Sequence, residues 1–123
     1  LRLSPKQRFS MPKDDIVRLR HILDAAKEAL SFTIGKSRAD LNMDRMLALS
    51  LVKEIEIIGE AAGKISEETR NKYKTMPWQD MIDMRNHLIH AYFEIDLDIL
   101  WDTVVKDLLP LVKELEKIVP PLP

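Results

Sequence analysis

The sequence contains no cysteine and almost no glycine. Of its 123 residues none is cysteine and three are glycine, whereas 46% are hydrophobic. The absence of cysteine excludes disulfide bonds and metal sites that use thiolate ligands. A chain with this composition is too apolar for disorder, and its low glycine content favours helices.

Long apolar segments and a charge imbalance are also missing. No hydrophobic run approaches the roughly 18 residues of a membrane span, and no signal-peptide core is visible. We therefore expect a cytoplasmic protein without a membrane partner. The 19 basic and 20 acidic residues leave a net charge of -1, so the overall charge gives no nucleic-acid signal. An anionic ligand would have to be bound by a local cluster of cations.

The first ten residues differ from the rest of the chain. Residues 1–10 are basic and contain a proline, and Met11 then opens Met-Pro-Lys-Asp-Asp, which is typical of a natural start. We expect residues 1–10 to be a leader, or a segment foreign to the natural chain, and leave them out of the prediction of the fold. A genuine basic arm is the alternative. Residues 11–123 are expected to form a single helical domain.

Apolar residues recur at spacings of three and four along most of the chain, which predicts amphipathic helices and no strands. The second helix should be central, because apolar residues surround most of its circumference. Within it, Gly59 and Gly63 favour close packing of a neighbouring helix over a ligand site. Pro110 should kink the fifth helix without ending it, since the apolar spacing resumes beyond it. Ser66 and Asp96 are expected to cap the starts of helices. The expected fold is all-α, an up-and-down bundle of four or five helices, with helices over residues 13–34, 41–65, 67–73, 77–91 and 97–118.

The stretch from Met84 to Phe93 concentrates the side chains that can perform chemistry. Within eight positions it carries an arginine, an amide, two histidines and a tyrosine among apolar residues. On a helix with about 100° per residue, Arg85 and His90 lie about 140° apart, so one copy would not easily direct both at a small ligand. Two copies packed about a two-fold axis could form a cationic cleft that suits a phosphodiester.

Each of these residues also has an ordinary interpretation. An arginine beside apolar residues is often a surface group with a buried stem, a histidine near a helix end is often a cap, and Tyr92 could be a core residue. His87 and His90 have a spacing compatible with metal ligands. No third ligand lies nearby in sequence and cysteine is absent, so we expect no metal and no cofactor. His21, among charged neighbours on the first helix, is expected to be solvated.

Four residues separate Arg85 from His90, and one residue separates His90 from Tyr92. This spacing resembles the R-x4-H-x-Y signature of HepT-like toxins, a branch of the HEPN superfamily. Asn86 fits the polar residue that usually follows that arginine. The similarity covers about residues 11–119 and includes the segments Asp14-Asp15-Ile16-Val17-Arg18-Leu19, Ile58-Gly59-Glu60-Ala61-Ala62, Pro77-Trp78 and Asp96-Leu97-Asp98-Ile99-Leu100-Trp101.

The resemblance implies a helical bundle that forms a homodimer through the motif helices and acts as a metal-independent endoribonuclease. Such enzymes are toxins of type II or type VII toxin–antitoxin systems, paired with an MNT-type nucleotidyltransferase antitoxin. In this branch the partner can transfer AMP to the motif tyrosine, here Tyr92. The alternatives are a catalytically inactive helical dimer that binds and assists a nucleotidyltransferase partner, and a purely structural bundle.

The implied catalytic residues are Arg85, Asn86 and His90, with RNA as the substrate. RNA supplies its own nucleophile, the 2′-hydroxyl, so the enzyme must supply proton transfer and positive charge. His90 is suited to proton transfer because its pKa starts near neutrality. Arg85 is suited to the phosphate because its planar fork donates two parallel hydrogen bonds. Asn86 would orient the histidine or the phosphate.

Overall fold

The computed structural model describes residues 9–91 and 94–121. The regular elements in this part of the chain are helices, apart from one short two-stranded ribbon, so the predicted all-α bundle is confirmed. None of the described helices combines the length and the apolar character of a membrane span. The elements in chain order are α1 (Lys13–Phe32), α2 (Asp40–Met43), α3 (Arg45–Gly63), α4 (Glu67–Lys72), α5 (Trp78–Leu88), β1 (Ile89–Ala91), β2 (Glu94–Ile95), α6 (Leu97–Asp102), a π-helical turn (Thr103–Asp107) and α7 (Leu108–Ile118).

Helix α3 is the centre of the bundle, as its sequence predicts. It packs against α1 on one side and α5 on the other, and α7 packs against α1. Leu51, Ile55 and Ile58 of α3 are fully buried in a core that they share with all the longer helices. Each such side chain stabilises the fold by about 1.5–3 kcal/mol through burial. The opposite, outer face of α3 is left exposed between α1 and α5.

The contact between α3 and α5 depends on Gly59. A Cβ atom at this position would lie 3.0 Å from the carbonyl oxygen of Met81. The close packing predicted from the glycine pair is therefore confirmed at Gly59. At Gly63 a Cβ would meet nothing within 4 Å, so this glycine makes no close contact. The backbone of α5 thus lies directly against α3, which brings the side chains of the two helices together.

A buried carboxylate ties the start of α1 to α4. Asp15 accepts hydrogen bonds from the Ser66 N–H at 3.0 Å, the Ser66 hydroxyl at 2.5 Å and the Thr69 hydroxyl at 2.5 Å. Burial alone raises the pKa of Asp15, but these three bonds outweigh it and lower the pKa overall. Ser66 also caps α4, as predicted, because its hydroxyl accepts from the Thr69 N–H.

The predicted second helix, 41–65, is interrupted near its start. Asp44 leaves the helical conformation, with φ −125° and ψ 93°, and its side chain accepts from the Leu47 N–H at 3.1 Å. An aspartate that caps a helix in this way competes with helix continuation. The segment is therefore a single turn, α2, followed by α3.

The fifth predicted helix continues through Pro110, as expected. A π-helical turn, Thr103–Asp107, comes directly before α7, in which Pro110 is the third residue. Proline lacks the N–H that would complete the α-helical ladder one turn back. A wider turn at this point lets the helical path continue across the missing bond.

The prediction that the fourth helix runs to residue 91, and the prediction of no strands, are wrong. Helix α5 ends at Leu88, and Ile89 begins β1, which pairs antiparallel with β2 with Ile89 opposite Ile95. The Asp96 N–H donates to the Leu88 carbonyl at 2.7 Å and closes this ribbon. Two β-branched residues facing each other favour the extended backbone.

The predicted leader lies mostly outside the described residues, which begin at Phe9. The ring of Phe9 packs edge-on against Tyr73, with 6.0 Å between ring centroids. The boundary at residue 10 stays a prediction.

Candidate active site

Arg85 lies in the last turn of α5 and is 53% exposed. Its Nε donates to the Glu56 Oε1 of α3 at 3.2 Å. The close α3–α5 contact at Gly59 makes this pair possible, because it brings the two helix surfaces within reach. An exposed ion pair of this kind contributes only about 0–1 kcal/mol. Glu56 therefore orients the guanidinium through a weak contact.

His90 lies on β1 and bonds to the carboxylate that begins α6. Its Nε2 is 3.1 Å from the Asp96 Oδ2, while the Asp96 Oδ1 accepts from the Ile99 N–H at 3.0 Å. The Ile99 N–H first, and then the His90 ring, lower the pKa of Asp96. An ionised Asp96 accepts from Nε2–H, which in a neutral imidazole leaves Nδ1 as the nitrogen with the free lone pair.

The other predicted site residues have different surroundings. Asn86 follows Arg85 on α5 and is exposed. His87 lines a groove of about 480 Å³ between α5 and the segment that carries the π-helical turn, on a different face of α5 from Arg85. Tyr92, the predicted acceptor of AMP, lies outside the described residues.

The comparison with protein families agrees with the motif. The family model described as "Ribonuclease HepT-like" matches residues 22–118, which include Arg85, Asn86 and His90. The chain belongs to the HepT-like family.

Curated relatives of this HepT-like chain come from archaea and bacteria. It is 34% identical over 110 residues to a "Putative RNase" of Methanocaldococcus jannaschii, covering 89% of this chain and 91% of that protein. It is 34% identical over 100 residues to the "Probable ribonuclease HepT" of Thermococcus cleftensis, covering 81% and 91%. A M. jannaschii protein named "Gamma-glutamylcyclotransferase and putative RNase" is 37% identical over 108 residues, which are 88% of this chain but only 49% of that protein. No solved structure matches the chain significantly.

In this HepT-like chain, Arg85 and His90 lie on different elements. The angle of about 140° expected for one continuous helix does not apply, because the backbone becomes extended after Leu88. Each side chain bonds to its own carboxylate, Glu56 or Asp96, and not to the other. Within the described residues no group of three or more histidine, aspartate or glutamate side chains is placed to hold a metal ion.

Two residues near this HepT-like motif were missed as site residues. Glu56 lies 29 positions before Arg85, and no local pattern connects them. Asp96 is predicted only as a helix cap, and the structure confirms that it caps α6. Its other carboxylate oxygen contacts His90, which the sequence did not predict. The signal for this contact would have been a carboxylate six positions after a histidine, because a short two-stranded ribbon brings residues at this spacing together.

Proposed function

We propose that this chain is a metal-independent endoribonuclease that acts as the toxin of a toxin–antitoxin system. The observation that supports this best is the exposed pair of motif side chains, each oriented by a carboxylate from another element. Arginine supplies a lasting positive charge for a phosphate, and histidine can exchange a proton near neutral pH. Together they are the groups that cleavage by the RNA 2′-hydroxyl requires.

In the proposed reaction, His90 accepts the proton of the 2′-hydroxyl while the 2′-oxygen attacks phosphorus. The bond from phosphorus to the 5′-oxygen breaks, and that oxygen must receive a proton. One imidazole cannot act as base and acid at the same moment, so the His90 of a second copy donates this proton. The products are a 2′,3′-cyclic phosphate and a 5′-hydroxyl. Positioned proton transfer of this kind typically contributes about 10²- to 10⁴-fold to the rate.

Arg85 is proposed to exchange Glu56 for the phosphate when RNA binds. A bidentate bond from the guanidinium to the phosphate replaces a single bond to a half-buried carboxylate. Asn86, exposed beside Arg85, is proposed to orient the phosphate or the imidazole.

In the proposed homodimer, the motif helices of the two copies pack against each other. The outer face of α3 then lies next to this interface. Met46 and Leu49 on this face are 79% and 47% exposed. Exposed apolar side chains clustered on one face are typical of a protein interface. A two-fold axis here brings both copies of Arg85 and His90 to one cleft.

The deciding experiment is cleavage of single-stranded RNA in the presence of EDTA. Wild type is expected to cleave, and Arg85→Ala and His90→Ala to lose about a hundredfold or more of the rate. His87→Ala is the matched control, since His87 lines a groove on another face of α5. Wild type that leaves RNA intact would favour the alternative function, an inactive dimer that assists a nucleotidyltransferase.

The proposed antitoxin is an MNT-type nucleotidyltransferase that attaches AMP to Tyr92. Tyr92 follows His90 by two positions in the sequence, and we propose that the negative charge of an AMP group attached to it blocks the binding of RNA. Incubation with the partner and Mg-ATP should add one or more AMP masses to the wild type and none to Tyr92→Phe. A Tyr92→Phe protein that is still modified and inactivated would contradict the assignment of Tyr92.

A further inference from the structure

A second cavity lies on the same side of the bundle as Arg85. It has a volume of about 350 Å³ and opens between α1 and α3. Its apolar lining comes from Val17, Ile57 and Ala61. Its polar lining consists of two cations, a histidine and two carboxylates: Arg18, Lys64, His21, Asp14 and Glu60. The volume falls in the range of about 300–1,000 Å³ that is typical of small-molecule sites.

This cavity is next to the candidate active site. Glu60 lines it and lies one helical turn, about 6 Å, beyond Glu56, the residue that bonds to Arg85. Both glutamates are on the outer face of α3, with α1 on one side and α5 on the other. Met46 and Leu49, which are assigned to the dimer interface, lie nearer the start of α3 than these glutamates. A chain molecule bound at Arg85 can therefore continue from Glu56 past Glu60 into the cavity.

The basic side chains of the cavity make no ion pair within the part of the chain that the structure describes. Among the ion pairs of the described residues, none involves Arg18, His21 or Lys64. The planar groups of arginine and histidine stack on nucleobases, and a lysine ammonium binds phosphate. A carboxylate such as Glu60 accepts from an amino group at a base edge. A lone phosphate would not need the apolar lining, and a purely acidic partner would be repelled by Asp14 and Glu60.

We propose that this cavity binds one nucleotide of the RNA beside the cleaved phosphodiester. Lys64 and Arg18 bind its phosphate, His21 packs against its base, and Glu60 accepts from the amino group of that base. This proposal rests on the proposed ribonuclease function for the identity of the substrate. Because uracil has a carbonyl oxygen where cytosine has an amino group, the cavity discriminates against uracil.

The test is binding of RNA to the His90→Ala protein, which separates binding from cleavage. Fluorescence anisotropy with labelled cytidine and uridine oligonucleotides of equal length gives Kd over a range of salt. Arg18→Gln and Lys64→Gln should each raise Kd several-fold. The double variant should also reduce the slope of log K against log salt by about 0.7, because the one phosphate that both side chains bind is then no longer neutralised. The matched control is Lys27→Gln, which removes an exposed charge from the opposite face of α1.

Base preference gives a second, independent measurement. The cytidine oligonucleotide should bind about threefold to tenfold more tightly than the uridine one, and Glu60→Gln should reduce this difference because an amide also donates to a carbonyl. Thermal unfolding verifies that each variant is folded.

Equal Kd values for Arg18→Gln, Lys64→Gln and Lys27→Gln, or no binding of RNA at all, would overturn the subsite. The two proposals can fail separately. If the wild type leaves RNA uncleaved but binding still depends on Arg18 and Lys64, the result contradicts the ribonuclease function and supports the subsite.

Discussion

At the residue scale, Glu54 is a buried carboxyl group whose ionisation affects stability. It is 6% exposed on α3, and its Oε2 has no hydrogen-bond partner among the described residues. Burial first, and then the carboxylate of Glu28 on α1, raise the pKa of Glu54 to about 7. Between about pH 4.5 and pH 7, the folded protein therefore holds a proton at Glu54 that the unfolded chain, with its ordinary pKa of 4.5, has already released.

This shift predicts a pH-dependent stability. The unfolded chain loses the proton as pH rises through about 4.5, so the free energy of unfolding falls from there until about pH 7 and then levels off. Glu54→Gln should remove this fall and be more stable than wild type above about pH 7, by roughly 1–3 kcal/mol. Urea unfolding across this pH range measures it. Parallel curves for variant and wild type would show that Glu54 is not the titrating group.

Asp96 offers a second residue-scale prediction. Asparagine caps helices about as well as aspartate, so Asp96→Asn should keep α6 and the stability of the fold. It loses the charge that bonds to the His90 Nε2. We expect kcat to fall about tenfold or more with little change in KM, and the pH profile of cleavage to shift. An unchanged kcat and pH profile would mean that Asp96 acts only as a cap.

At the element scale, the packing of α5 on α3 is the feature that positions Arg85. Gly59→Ala would place a methyl group 3.0 Å from the Met81 carbonyl and force the helices apart. We expect a loss of roughly 1–3 kcal/mol of stability and weaker RNA cleavage. Gly63→Ala is the control, since its methyl group meets nothing within 4 Å and alanine favours a helix. Equal thermal unfolding midpoints for the two variants would show that this contact does not matter.

At the scale of the whole molecule, the proposed chemistry depends on two copies. Leu49→Glu puts a charge on the outer face of α3 and should dissociate the dimer and abolish cleavage, although Leu49 makes no proposed contact with RNA. Leu109→Glu on α7 is the matched control, because Leu109 is 49% exposed against 47% for Leu49. Sedimentation velocity gives the oligomeric state. A Leu49→Glu protein that remains dimeric would place the interface elsewhere.

The sequence by itself determined where most of the helices lie, several of their caps and, through its motif, the family. Apolar spacing indicates α1 and the central α3, and Ser66 and Asp96 cap helices as expected. These features depend on residues within about one turn of one another, so a single sequence contains all the information they need.

Only the tertiary structure decided how the site is built. It ended α5 at Leu88 and put His90 on a strand, because Asp96 closes the ribbon from the far side. It also paired Arg85 with Glu56 across two helices. Contacts between residues far apart along the chain arise from packing, and the local spacing of residues does not record them.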